Sequence, residues 1–188
     1  MIIVITQPYF FQGEAERIIQ LLSGGAADIV HIRKPLLDKL DRLAALDILD
    51  KLERLIRALP SELYGRLVLH DGHQLAVKYG LRGVHLNSRN PQPPEGFKGA
   101  VSISCHSLAE LAEARKQPYA YMSLSPIFDS ISKPGYHSAF TAQQIAEARR
   151  QGLIDQRVMA LGGVTFNHVN DVMKMGFGGA MILGDAWK

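Results

Sequence analysis

Eight short apolar segments, separated by segments with helical periodicity, run from one end of the 188-residue chain to the other. Their near-continuous apolar character is typical of strands that are covered on both faces in a parallel sheet. Eight such strands alternating with helices predict a (β/α)8 TIM barrel, with an open doubly wound sheet as the alternative. The predicted strands are Ile2–Thr6, Ile29–Arg33, Leu67–His70, Gly83–Leu86, Val101–Cys105, Tyr121–Leu124, Val158–Leu161 and Ala180–Leu183.

The chain is short for such a barrel, which typically has about 250 residues. Two segments account for the difference. Residues 87–99 contain Pro91, Pro93 and Pro94, which exclude a full helix after the fourth strand, and only residues 184–188 follow the eighth. We therefore expect a single barrel domain over residues 1–188, in which the helix after strand four and the final helix are missing or reduced. Apolar surface left bare there would favour a homodimer.

Composition excludes several classes of partner. The formal net charge is only +3, and no run of basic residues indicates a nucleic-acid site. The single cysteine, Cys105, excludes an intrachain disulfide, and no segment approaches the roughly 18–20 apolar residues of a membrane helix. We expect a cytoplasmic protein that binds neither nucleic acid nor a membrane.

Polar and ionisable residues gather at the carboxyl ends of the predicted strands, where barrels of this kind carry their chemistry. Gly162-Gly163 after the seventh strand predicts a phosphate-binding turn, although two glycines also suit a tight turn with no ligand. Side-chain charge for a second phosphate group could come from Arg33, Lys34 and Lys133.

Asp71 has two interpretations, as a Mg²⁺ ligand or as the N-cap of the next helix. Cys105 could be a nucleophile, but its place in the alternating strand favours the core.

Four successive strands end in histidines: His31, His70, His85 and His106. Three convergent imidazoles can hold zinc, but no tight metal-binding spacing is present, so hydrogen-bonded scaffold is the favoured interpretation. His106 is also a candidate proton carrier, because an ordinary imidazole titrates near neutral pH.

Taken in order, these strand-end motifs resemble those of the thiamine phosphate synthase and thiazole tautomerase family, over Ile2 to Gly184. The motifs are Val30-His31-Ile32-Arg33-Lys34, His70-Asp71, Gly83-Val84-His85-Leu86, Ser104-Cys105-His106-Ser107, Ser125-Pro126-Ile127-Phe128 with Ser130, Ser132 and Lys133, and Ala160-Leu161-Gly162-Gly163-Val164. The resemblance implies a synthase of thiamine biosynthesis, which joins hydroxymethylpyrimidine diphosphate to a thiazole phosphate and releases pyrophosphate.

The same resemblance implies roles for individual residues. Arg33 and Lys133 would hold the pyrophosphate, Ser104 would donate to the leaving group, and Asp71 would help to bind Mg²⁺. The remaining substrate-binding positions are His31, His70, Ser130, Ser132, Gly162, Gly163 and Gly184, of which Ser130, Ser132, Gly163 and Gly184 would hold the thiazole phosphate.

The chain departs from the family pattern at the pyrophosphate end. The family's Gln-x-Arg-x-Lys reads His31-Ile32-Arg33-Lys34-Pro35, so the glutamine and the final lysine are absent, and Lys34 points to the other side of the strand. The usual Asn-Asp pair reads His70-Asp71, and Asn90 replaces the second carboxylate, which weakens a Mg²⁺ site. Two alternatives therefore stay open: a metal-independent tautomerase that uses His106, and a family member that binds thiazole phosphate without turnover.

Overall fold

A computed structural model describes residues 1–35, 42–129 and 138–188. Eight parallel strands form a closed barrel in the order β1 to β8, so the predicted (β/α)8 fold is confirmed. The strands are β1 (Ile2–Ile5), β2 (Ile29–Ile32), β3 (Leu67–Leu69), β4 (Gly83–Leu86), β5 (Ala100–Cys105), β6 (Tyr121–Leu124), β7 (Val158–Ala160) and β8 (Gly179–Ile182). The predicted strands differ from these only at their ends.

The helices follow the predicted alternation. They are α1 (Glu14–Ser23), α2 (Arg42–Ala58), α3 (His73–Tyr79), α4 (Leu108–Ala114), α5 (Ala142–Arg150) and α6 (Val169–Lys174), and 3₁₀ helices cover Ser61–Arg66, Phe166–His168 and Gly184–Trp187. Side-chain caps fix the starts of two of these helices: at α4, Ser107 accepts from the Glu110 amide at 3.1 Å, and at α5, Thr141 and Gln144 form a capping box.

The predicted lack of a full helix after strand four is confirmed. Among the described residues between β4 and β5 there is no helix, and the backbones of Asn87 and Asn90 close a turn on each other with N–O distances of 3.2 and 3.1 Å. After β8, residues Gly184–Trp187 form a short 3₁₀ helix, and the expected reduction of the final helix stays a prediction. The prolines of the first segment explain its lack of a helix, because they supply no backbone N–H.

The chain divides into two compact units, residues 5–100 and residues 1–4 with 101–188. The prediction of one domain over residues 1–188 therefore stays a prediction. In the first unit the core includes Ile32, Leu69 and Leu86, and in the second it includes Met122 and Phe177, all essentially buried. In the part of the chain that the structure describes, no helix combines the length and the apolar character needed to span a membrane.

Candidate active site

In the 5–100 unit, three histidines converge from neighbouring strands. The register places His31 of β2 opposite Val68 and Val68 opposite Gly83, so His31, His70 and His85 share one face of the sheet. One ring nitrogen from each lies within 4.8 Å of the others, and His31 Nδ1 is 2.9 Å from His70 Nε2. We call these residues the three-histidine cluster.

Burial controls the charge of this cluster. All three rings are nearly inaccessible to water, and this desolvation is the largest cause of their lowered pKa values. The pKa of His85 falls to about 3, and those of His31 and His70 fall well below the usual 6.5. Neighbouring arginines also oppose protonation of the rings, Arg82 at His31 and Arg33 at His70. The cluster is therefore uncharged at neutral pH.

Asp71 is bound by other side chains of the same unit. Its buried carboxylate accepts two hydrogen bonds from Arg89, Nε to Oδ1 and Nη2 to Oδ2, both at 3.2 Å. The Asn90 amide donates to Oδ1 at 2.9 Å. The cap of α3 is Gly72, so the alternative role of Asp71 as N-cap is wrong.

These contacts do not fit the predicted Mg²⁺ site. Mg²⁺ is bound through carboxylate oxygens, usually one or two, together with substrate phosphates. Here both oxygens of Asp71 already accept hydrogen bonds from a guanidinium, and Asn90 presents its N–H to the same carboxylate. Arg89 therefore supplies the positive charge that faces Asp71. No role was predicted for Arg89 from the sequence.

Arg33 and Lys34 are adjacent in sequence but differ in environment. The Arg33 amide donates to Thr6 Oγ1 at 2.9 Å, and its half-buried guanidinium has a lowered pKa, first because of burial and then because of Arg89. Lys34 is 1% exposed, and its ammonium donates to the carbonyls of Gln7 and Tyr9 at 2.8 and 2.7 Å. It also donates to Glu14 at 2.5 Å. Its ammonium is therefore already engaged by three acceptors, which argues against the suggestion that Lys34 holds a phosphate, and its predicted orientation stays a prediction.

In the 101–188 unit, the ends of β5 and β6 bring hydroxyls and an imidazole together. Ser123 Oγ donates to Ser104 Oγ at 3.4 Å, and Ser125 Oγ is 3.1 Å from His106 Nδ1. His106 is exposed, and its amide donates to Glu110 Oε2 at 2.8 Å. Sequence reasoning gave Ser123 and Ser125 no role, although Ser123 lies in the predicted strand and Ser125 follows it two residues later, a spacing that places both hydroxyls on one face if the strand continues.

The paired glycines follow β7 in the same unit. Both have left-handed backbones, with φ of 89° at Gly162 and 65° at Gly163. A side chain at Gly163 would place Cβ 2.4 Å from the Asp129 carbonyl oxygen, so the turn requires glycine for packing as well as conformation. Around Gly184, by contrast, the position of a Cβ is open space.

Asp185 connects the loops after β7 and β8, because its carboxylate accepts from the Phe166 amide at 3.1 Å. Three predicted site residues, Ser130, Ser132 and Lys133, lie outside the described residues.

Cys105 is buried, and burial raises the pKa of its thiol to about 11. This environment supports the core interpretation and not the nucleophile.

Comparison with known proteins gives a consistent result. A family model described as thiamine monophosphate synthase matches residues 2–184. A thiamine-phosphate synthase of Koribacter versatilis is 29% identical over 150 residues, which are 76% of this chain and 68% of that protein. A thiamine-phosphate synthase of Methanoculleus marisnigri is 26% identical over 174 residues, 88% of this chain and 77% of the relative.

Comparison with solved structures also finds proteins described as thiamine phosphate pyrophosphorylases. A thiamine phosphate pyrophosphorylase from Bacteroides thetaiotaomicron superposes with a TM-score of 0.80 at 38% identity, covering 99% of this chain and 84% of the other. The corresponding Pyrococcus furiosus protein has a TM-score of 0.65 at 20% identity, covering 97% and 84%, and supports the fold alone.

Proposed function

The chain belongs to the thiamine monophosphate synthase family, and on this premise we propose that it is a transferase acting on two small phosphorylated molecules. It joins hydroxymethylpyrimidine diphosphate to a thiazole phosphate and releases pyrophosphate. The observation that carries the proposal is the family match over residues 2–184, together with the persistence of Arg33, Asp71 and Ser104 at the expected strand ends.

The reaction depends on stabilising a leaving group. The bond between the pyrimidine methylene and the diphosphate breaks first, the bond electrons leave with the diphosphate, and the thiazole nitrogen then attacks the pyrimidine cation. Negative charge grows on the diphosphate, so fixed positive charge lowers the barrier. Arg33 and Arg89, which influence each other electrostatically beside Asp71, supply such charge. Lys133 and the Ser104 hydroxyl keep their predicted roles in this proposal.

No residue-bound Mg²⁺ takes part in the proposed steps, because Asp71 is engaged by Arg89 and Asn90. In the family pattern, two carboxylates hold Mg²⁺, and Mg²⁺ supplies positive charge. Here Asn90 replaces the second carboxylate, and in this proposal Arg89 contributes positive charge instead. A diphosphate can also bring its own cation from solution. The proposal therefore predicts that Arg89, and not only added metal, controls turnover.

The thiazole phosphate is assigned to the glycine turns of the 101–188 unit. Backbone N–H groups bind phosphate oxygens where no side chain intervenes, and the open space at Gly184 permits a close approach. Gly163 maintains the turn that presents its own N–H, with Gly162 before it. The predicted contributions of Ser130 and Ser132, and the predicted substrate-binding roles of His31 and His70, stay predictions.

The decisive experiment is an assay of the full chain with both substrates, with and without added Mg²⁺, and with EDTA. Arg33→Ala and Arg89→Ala should each lower kcat/KM by about 10²–10³-fold, the scale of losing one preorganised charge or donor at a developing anion. Arg54→Ala is the matched control, because Arg54 is exposed and pairs with Asp50 on the surface of α2. Wild-type protein that forms no product under any of these conditions would reject the synthase.

The contact between Ser125 and the exposed His106 favours one second candidate, the tautomerase. An imidazole held by a hydroxyl at 3.1 Å could carry a proton between two positions of a thiazole carboxylate phosphate. Proton exchange on that substrate without condensation, abolished in His106→Gln, would establish this function. Binding of thiazole phosphate by calorimetry with neither activity would identify the non-catalytic alternative.

The homodimer and the cytoplasmic location stay predictions. Light scattering at micromolar concentration would test the first, with a monomer as the contradicting result.

A further inference from the structure

We propose that His31, His70 and His85 form a binding site for a divalent transition-metal ion, with Zn²⁺ as the first choice. The ion would have three imidazole ligands and an open fourth position for water or for a nitrogen or oxygen donor of a ligand. This site goes beyond the transfer reaction and does not rest on it, since none of the proposed steps uses a metal at these histidines.

The geometry of the cluster is close to that of a metal centre. Zn–N bonds of about 2.0–2.1 Å in a tetrahedral arrangement place the ligand nitrogens about 3.3 Å apart. In the cluster the His31–His70 nitrogens are 2.9 Å apart, and the nitrogens of all three residues lie within 4.8 Å of one another. Side-chain adjustments of about an ångström therefore produce three-coordinate binding without moving the strands.

The sheet itself makes this convergence rigid. His31 and His85 are strand residues, and His70 follows β3 directly, where its amide donates to the Ile32 carbonyl at 3.2 Å. The rings of His70 and His85 are stacked, with centroids 4.3 Å apart and an interplanar angle of 27°, so one ring must rotate about its side-chain bonds before both nitrogens face a single ion. A site on adjacent strands holds its ligands in place better than one on loops.

The donor set selects the class of ion. Asp71, the carboxylate next to His70 in sequence, is engaged by Arg89, so the cluster offers imidazole nitrogen. Imidazole suits Zn²⁺, Ni²⁺, Cu²⁺ and Co²⁺, whereas Mg²⁺ requires oxygen ligands. A closed structural zinc site has four protein ligands, whereas three imidazoles leave a coordination position for a small molecule.

The test uses the full chain, treated with EDTA, freed of chelator and titrated with Zn²⁺ by calorimetry. We expect one equivalent to bind. Co²⁺ should give the intense visible absorption of a tetrahedral ion, and excess Mg²⁺ should not displace either metal. His85→Gln and His70→Asn each remove a residue that would bind the ion directly. We expect each variant to weaken Zn²⁺ binding by more than about 100-fold. Removing a residue that only hydrogen-bonds to a metal ligand typically weakens binding by about 10–100-fold. His106→Asn, which alters an exposed histidine outside the cluster, should bind Zn²⁺ as the wild type does.

Because both His70 and His85 are buried, circular dichroism must show that their variants fold. Imidazole ¹⁵N shifts of the wild type provide a measurement that needs no variant, and Zn²⁺ should move the signals of three histidines together. Absence of a saturable single site, unchanged affinity in the folded His85→Gln protein, or shifts confined to His106 would overturn the proposal. Condensation activity is measured separately, so a protein that binds Zn²⁺ without forming product rejects only the synthase.

Discussion

Lys34 offers the sharpest test of how the first loop of the barrel is held. The side chains of Lys34 and Glu14 are only 1% and 2% exposed, and they meet at 2.5 Å. Burial is the largest influence on both pKa values: it raises the pKa of Glu14 and lowers that of Lys34. The hydrogen bond between the two side chains shifts each pKa in the opposite direction. Lys34→Met keeps the apolar stem of the side chain but leaves Glu14 buried without its partner.

The size of the effect follows from the remaining carboxylate. Breaking a buried pair from one side typically costs about 3–5 kcal/mol. Glu14 can avoid the buried charge by taking up a proton. The ordinary pKa of a glutamate is 4.5, so protonation at pH 7 works against a difference of 2.5 pH units. At about 1.36 kcal/mol per unit, this costs about 3.4 kcal/mol. We therefore expect Lys34→Met to lower the free energy of unfolding by about 3 kcal/mol at pH 7. In this variant the pKa of Glu14 lies further above its unfolded value, so the loss grows as pH rises and shrinks to about 1.4 kcal/mol at pH 5.5.

Urea unfolding at pH 7 and pH 5.5 measures both numbers. Lys34→Met combined with Glu14→Leu should recover most of the loss, because no buried charge then remains. Lys51→Met is the control: Lys51 and its partner Asp47 are about half exposed, so its removal should change stability by less than about 1 kcal/mol. A loss below about 1 kcal/mol for Lys34→Met at pH 7, or an equal loss at both pH values, would refute the reasoning.

Three further predictions concern the 101–188 unit and its turns. Cys105, whose thiol pKa is raised to about 11, should resist alkylation at pH 8 in the native protein and react fully in urea, and rapid native alkylation followed by mass spectrometry would contradict its burial. Gly163→Ala should lower the free energy of unfolding in urea by about 1–3 kcal/mol, because φ at Gly163 is 65° and a Cβ would meet the Asp129 carbonyl. Gly65→Ala is the control and should be nearly neutral, since Gly65 has open space around it and no left-handed backbone. Gly184→Val should leave the melting temperature nearly unchanged, since its surroundings are open, but should weaken thiazole phosphate binding by calorimetry at least tenfold, and unchanged binding would remove Gly184 from the proposed phosphate site.

Much of the fold was predictable from local sequence. Eight short apolar strands with helical segments between them indicate a parallel barrel, and prolines in residues 87–99 explain the absent helix, because both signals act within a few residues of the chain. Gly162 and Gly163 were also identifiable, since a left-handed turn after a strand favours glycine. The family resemblance depends on the same strand-end motifs, and the match over residues 2–184 confirms it.

Pairings between distant residues were decided only by the tertiary structure. Arg89 and Asp71 are 18 positions apart, and their contact depends on the turn after β4, so a predicted magnesium ligand became the partner of a guanidinium. Three histidines 39 and 15 residues apart in sequence, His31, His70 and His85, meet because parallel register aligns their strands, which makes a metal interpretation stronger than their spacing alone allowed. Hydrophobic periodicity encodes which face of a strand is covered, but the identity of a polar partner depends on strand register and loop path, which arise from packing across the whole chain.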